Sequence, residues 1–176
     1  MDEREIDAAA FRDALGRFVT GVCVVTSFGP DGPSGLTANA VSSLSLDPPL
    51  MIVCFERSSR TLAAVEHSRR FGVHFLARSQ EQTAARFASK QPEREKFAGV
   101  RWSERSGVPM VEDCVGGLAC NLNELVPGGD HLIGVGAVVD LWASEGEPLV
   151  FFRGDYWALT GREPAPPEVD EALEGR

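Results

Sequence analysis

Apolar and polar positions along the 176-residue chain repeat with two different periods, and the periods divide it into elements. Phe11, Leu15 and Phe18 recur at helical spacing behind Asp7, a side chain that can cap the residues 8–10 turn. Val22, Cys23, Val24, Val25 and Thr26 form a β-rich run that ends in Phe28-Gly29-Pro30-Asp31-Gly32-Pro33, a hairpin-type connection. In residues 35–50, Leu36, Ala38, Ala40, Leu44 and Leu46 share one parity, with Ser42 as the exception. Thr37, Asn39, Ser43 and Ser45 hold the other, interrupted by Val41. In an extended chain these sets point to opposite faces. One face can bury, while the other carries three hydroxyls and an amide, either as an ordinary solvated strand face or as a surface for a ligand with mixed donors and acceptors.

Further along, residues 50–55 are a continuous apolar run between turn signals, as expected of a buried strand. Ser58 or Ser59 opens a helix carrying Leu62 and Val65, and Phe71 to Leu76 reads as a strand. Ser79 and Gln82 have capping-box spacing at the start of another helix. Residues 90–101 are charged and read as surface loop. Strands are expected over residues 117–123, 132–142 and 149–152, with a short one over residues 156–159. In the second of these, Ile133, Val135, Ala137, Val139 and Leu141 alternate cleanly. From Gly161 onward core residues are lacking, which reads as a mobile tail. Six or seven short strands with peripheral helices point to an antiparallel barrel in a single domain, residues 1–160.

Composition narrows the function classes. A formal net charge of −9 argues against bulk nucleic-acid binding, which depends on neutralising phosphates. It leaves room for a small anionic ligand held by a local group of arginines. The acidic start is unlike a secretory signal, and no stretch approaches the length of an apolar membrane span. Four cysteines without a C-x-x-C pair, and three scattered histidines, give no zinc-type spacing and fit a reduced, cytoplasmic protein. Gly134-Val135-Gly136 begins like a dinucleotide fingerprint, but the third glycine is missing and strand alternation continues where a helix should start. No phosphate-binding P-loop or serine nucleophile elbow is present.

Thr20-Gly21-Val22, Gly35-Leu36-Thr37-Ala38-Asn39, Ser43-Leu44-Ser45-Leu46-Asp47-Pro48-Pro49-Leu50 and Gly129-Asp130-His131 together resemble the flavin reductase family with the FMN-binding split-barrel fold. Residues 148–156 are similar to that family's closing segment. The resemblance implies a homodimer of antiparallel split β-barrels of Greek-key type, mainly β with peripheral α-helices. It implies an NAD(P)H:flavin oxidoreductase that uses NADH or NADPH to reduce FMN or FAD and supplies the product to a partner monooxygenase. A protein of the same fold that holds flavin without turnover is the alternative. Flavin contacts then fall on Thr37, Ala38, Asn39, Ser43, Ser45, Cys54 and Phe55, and Ser59 and Arg60 fall on the phosphate side. His131 lies beside the nicotinamide as the catalytic candidate, and Tyr156 lies near the same pocket. No metal is implied. A straight strand from Thr37 to Ser45 would run about 26 Å, several times the width of a flavin ring system. Either the chain bends, with the parity break at Val41 and Ser42 as the expected place, or the two ends touch different parts of the ligand.

Overall fold

The computed structural model describes residues 6–159, so the expected tail lies outside the described residues. Helix α1 (Ala8–Gly16) starts as the sequence requires, with the Asp7 carboxylate accepting from the Ala10 N–H at 2.9 Å. None of its residues is buried, however. Phe11, Leu15 and Phe18 form an apolar stripe that no other part of the described chain covers.

The strands follow as β1 (Thr20–Gly21), β2 (Cys23–Gly29), β3 (Gly32–Ala38), β4 (Val41–Leu46) and β5 (Pro49–Glu56). Helix α2 (Arg60–Ser68) and β6 (Arg70–Phe75) come next, and then a 3-10 turn (Arg78–Gln80) leads into α3 (Glu81–Ala88) and α4 (Glu93–Phe97). The chain closes with β7 (Trp102–Arg105), β8 (Val108–Val111), β9 (Gly116–Gly128), β10 (His131–Ala143), β11 (Leu149–Phe152) and β12 (Asp155–Ala158). Seven strands form one antiparallel sheet in the order β3-β2-β6-β9-β10-β5-β4; β1, β11 and β12 form a small sheet, and β7 pairs with β8.

The sheet order carries the main architectural fact. Strands β3 and β4 are consecutive in the chain yet occupy opposite edges of the sheet. Only Asn39 and Ala40 separate them, so Ala38 and Val41 are at most about 11 Å apart. The sheet therefore curls until its edges approach one another, although no ladder between β3 and β4 closes it. The expected bend thus exists but lies at Asn39 and Ala40, two residues before Val41 and Ser42. The parity break expresses a β-bulge next to it: the β4–β5 register shifts between Ser43 and Ser45.

Two cores flank the sheet. Cys23, Val25, Val53, Phe55, Phe71, Val73 and Cys120 pack inside the curl, while Val22, Val24, Leu76, Phe87, Phe97 and Leu149 pack outside it beneath α3 and α4. Strand β2 separates the two cores, which is why its sequence is a continuous apolar run. Val22, just before it, is held by backbone bonds from Leu76 N–H to Val22 O (3.0 Å) and from Val22 N–H to Leu149 O (3.2 Å), and Leu149 N–H in turn donates to Leu76 O (2.8 Å). Burial pushes the Cys23, Cys114 and Cys120 thiols up to about 12, so at neutral pH they are small apolar core groups rather than thiolates.

The structure departs from the sequence pattern at four points. The alternating apolar set of β10 does not face the core inside the curl. A Cβ on Gly134 would lie 2.8 Å from the Phe55 ring, and one on Gly136 would collide with the Phe71 ring. The even positions therefore admit the core aromatics, and Ile133, Val135 and Ala137 face outward. Leu44 and Leu46, expected to bury, are exposed, Leu46 by 92%. The segment read as loop over residues 90–101 contains α4, whose Lys96 and Phe97 are buried. Ser79 does not cap α3; instead the Gln80 side-chain oxygen accepts from the Ala77 N–H (2.9 Å) and its amide donates to Glu112 O (2.8 Å). The β7–β8 hairpin went unread in the sequence. It is latched to β10 by a two-point Arg105–Asp140 pair at 2.8 and 2.9 Å, with Arg105 stacked over Trp142.

Two outcomes follow from this packing. Gly136→Ala should destabilise the fold by about 1–3 kcal/mol, read as a lowered denaturation midpoint, because neither the Phe71 ring nor the Cys120 Cβ at 2.8 Å can withdraw. His74 is fully buried with its ring Nδ1 bonded to Val24 O at 2.9 Å, and burial lowers its pKa to about 4. The unfolded chain takes up a proton at His74 below about 6.5, whereas the folded chain does so only near 4. Stability should therefore be lost progressively as pH falls from about 6.5 to about 4, by up to about 3 kcal/mol. His74→Gln should flatten that dependence by about one proton in equilibrium denaturation, and an unchanged slope would contradict it.

Candidate functional site

A cleft of about 610 Å³ opens where the two edges of the curled sheet meet. One wall is the end of β3 and the residues after it, from Leu36 to Ala40. Cys54 and Glu56 of β5, the start of α2 and His131 of β10 form the opposite side. The ends of α3 and α4 supply Ser89, Lys90, Glu93 and Lys96. A smaller hollow of about 180 Å³, lined by Val22, Ala88, Phe151 and Tyr156, shares Thr37, Ala38 and Asn39 with it.

Hydrogen bonding fixes which of these groups are free. The Cys54 N–H donates to Ala40 O at 3.0 Å, tying the bend to β5. The Thr37 hydroxyl donates to Ala84 O at 2.6 Å and is thereby committed to the fold. Ser58 donates to the Glu56 carboxylate at 2.8 Å. Ser59 caps α2, its hydroxyl oxygen accepting from the Leu62 N–H at 3.4 Å, and keeps its own proton available. The Asn39 side chain is exposed and has no partner among the described hydrogen bonds. The nine-residue helix α2 brings its positive end to the cleft at Ser59 and Arg60. Arg60, Lys90 and Lys96 face Glu56 and Glu93, so the lining carries an excess of positive charge on a chain whose formal net charge is −9.

His131 enters through strand register: it pairs with Glu56 across β5 and β10. Its Nδ1 lies 2.7 Å from the Asp130 carboxylate, and that hydrogen bond holds the Asp130 carboxyl below the usual range. An ionised carboxylate only accepts, so a proton sits on Nδ1, and Nε2 is the ring nitrogen left without that partner. Arg57 steadies the turn, donating from its backbone N–H to Asp130 O (3.2 Å) and from Nε to Gly129 O (3.1 Å). Gly129 itself has φ +66°, a conformation suited to glycine. Tyr156 packs edge-on against Phe151 with ring centres 5.7 Å apart, and burial raises its pKa, so it remains a neutral phenol.

The fold thus brings Thr37, Ala38, Asn39, Cys54, Ser59, Arg60 and His131 to one cleft, with Tyr156 in the adjoining hollow. Ser43 and Ser45, on the far side of the bend, do not line it, and Phe55 is fully buried against Phe71. The sequence reading missed Ser58, Lys90, Glu93, Lys96 and Phe151. Glu93 and Lys96 are three apart in a segment whose charge density reads as loop; only their helical spacing could have announced them. Among the described residues no group of His, Cys, Asp and Glu is placed to hold a metal ion.

The flavin reductase like domain matches residues 15–160. The reductase subunit HsaB of a flavin-dependent monooxygenase from Mycobacterium tuberculosis is 37% identical over 97% of this chain and 92% of that protein. An NADH-dependent flavin reductase from Rhodococcus is 38% identical over 88% of each chain. The solved structure of the Streptomyces globisporus NADH:FAD oxidoreductase SgcE6, in complex with NAD and FAD fragments, superposes with a TM-score of 0.79 and 32% identity over 95% of this chain and all of that one. A curled antiparallel sheet whose edges meet at a polar, locally cationic cleft thus accompanies a sequence match over nearly its whole described length, and the chain belongs to the flavin reductase family.

Proposed function

We propose that the protein is an NADH-dependent flavin reductase that passes reduced FMN or FAD to a partner monooxygenase. The observation that carries this reading is the meeting of an uncommitted amide, a helix N-terminus with two adjacent cations, and a carboxylate-oriented imidazole in one cleft of about 610 Å³. These groups fit a flavin nucleotide. Its ring edge needs mixed donors and acceptors, which Asn39 and the backbone at residues 37–40 offer, and its phosphate needs donors and positive charge, which Ser59, Arg60 and Lys96 offer. Bound flavin supplies the hydride-accepting ring, and no protein nucleophile is required. Within that scheme the residues at the ends of β3 and β5 would hold the ring, and Asp130 orients the His131 imidazole, whose Nε2 would be the nitrogen available to the nicotinamide. The hollow lined by Val22, Phe151 and Tyr156 adjoins the cleft and offers a largely apolar wall.

The architecture supports a split barrel, since the two edges of the seven-stranded sheet are joined by two residues. A homodimer is supported by the apolar outer face: Leu46, Leu141 (67% exposed), Val139 and the α1 stripe with Phe18 (73% exposed) lie uncovered in one chain. The four unpaired cysteines fit a reducing, cytoplasmic setting, and no helix among the described residues is long and apolar enough to cross a membrane.

The purified protein should accelerate NADH oxidation when free FMN or FAD is added in excess. Tight flavin binding without such turnover would favour a flavin-holding protein instead, and neither binding nor oxidation would overturn the reading. His131→Ala should slow flavin reduction by NADH about tenfold or more while leaving the flavin dissociation constant within about twofold, measured by stopped-flow absorbance and fluorescence quenching. Unchanged reduction rates would remove His131 from the mechanism.

A further inference from the structure

Glu93 is an acidic group placed where an anionic ligand is to be held. Its two carboxylate oxygens have separate tasks. Oε2 accepts from the Gly35 N–H at 2.9 Å, while Lys96 Nζ donates to Gly35 O at 3.0 Å. Helix α4 thus satisfies both free-edge groups of β3 at Gly35, where a neighbouring strand would otherwise sit. Gly35 must lack a side chain there, because a Cβ would come within 2.7 Å of the Phe87 ring. Oε1 takes no part in that grip. It faces Arg60 Nε at 3.0 Å and Lys96 Nζ at 3.3 Å, the two cations at the α2 end of the cleft. The remaining Arg60 contacts go to the Lys90 and Gln91 carbonyl oxygens. Lys96 is nearly buried, with a side chain 5% exposed; Glu93 lines the cleft at 19%, while its Oε1 is sealed against the two cations. A buried ammonium without a counter-ion would be costly, so Glu93 neutralises it in the ligand-free chain.

We propose that Glu93 is a built-in anion that competes with the phosphate end of a flavin nucleotide for Arg60 and Lys96, and so keeps the cleft's hold on flavin loose enough for release. The inference rests on the flavin reading above and deepens it, assigning to Glu93 the difference between a substrate site and a prosthetic-group site. An incoming phosphate must share two cations that are already engaged. Its gain is the difference between two charged contacts rather than the whole of one, and the affinity is lowered accordingly. Riboflavin, which has the same ring and no phosphate, does not enter the competition.

The test compares dissociation constants of FMN and riboflavin for the full chain and for Glu93→Gln, by quenching of flavin fluorescence at low ionic strength. The amide oxygen of glutamine can still accept from the Gly35 N–H, while the counter-ion for Arg60 and Lys96 is lost. FMN should bind about three- to tenfold more tightly to the variant, with riboflavin unchanged within about twofold. FMN binding that is unchanged or weakened overturns the proposal, as does a parallel shift for both ligands, which would mark Glu93 as a purely structural support of β3. If the parent chain binds neither ligand, the flavin reading itself fails and the inference falls with it. Should Glu93→Gln not fold, Glu93→Asp, with its carboxylate one methylene further from Arg60, should shift FMN in the same direction by a smaller factor. An unchanged or opposite shift there overturns the proposal equally.

Discussion

The two residues Asn39 and Ala40 connect opposite edges of a seven-stranded sheet, and most of the molecule follows from that short tether. A flat sheet of that width could not have its edges joined by so little chain. It must curl, and the curl creates an interior that Phe55 and Phe71 fill from β5 and β6. Space for those rings is made by Gly134 and Gly136 on β10, where any side chain would collide. The same tether leaves the edges unpaired at the bend. A groove with exposed backbone and an uncommitted amide therefore lies where β3 gives way to β4. The cleft is in this sense the seam of the fold, and the helices around it cover an edge that would otherwise stand open.

Much of this was legible in the residues. The hairpin through Pro30 and Asp31, the β5 strand, the Ser59 cap and the helix opened by Asp7 all have local causes and stand where local chemistry placed them, although β5 buries only Met51, Val53 and Phe55 fully. The errors have a common origin in tertiary placement. Alternation says that two faces differ but not which face meets the core inside the curl; on β10 the glycines, not the valines, mark the inner side. The parity break at Val41 and Ser42 reports a bulge, while the actual bend at Asn39 and Ala40 comes from strand order, which no local pattern encodes. Helix α4 was hidden because a charged segment reads as solvated, and here Lys96 is buried to satisfy a strand edge.

The site was legible to a similar degree, with the same boundary. Thr37, Ala38, Asn39, Ser59, Arg60 and His131 line one cleft, although the Thr37 hydroxyl is spent on Ala84 O and Ser43 and Ser45 lie beyond the bend. The electrostatic character of the cleft had no counterpart in the totals. A chain with a formal net charge of −9 concentrates Arg60, Lys90 and Lys96 at one helix end and offsets them with Glu93. Local geometry, not net charge, decides what such a surface can hold.

Flavin binding at the seam is tested most directly by a crystal structure of the protein soaked or grown with FMN. The expected electron density sets the ring against Thr37, Ala38 and Asn39, with the phosphate at Ser59 and Arg60. Well-ordered flavin density elsewhere on the molecule, with the cleft between β3 and α2 occupied only by solvent, would contradict it.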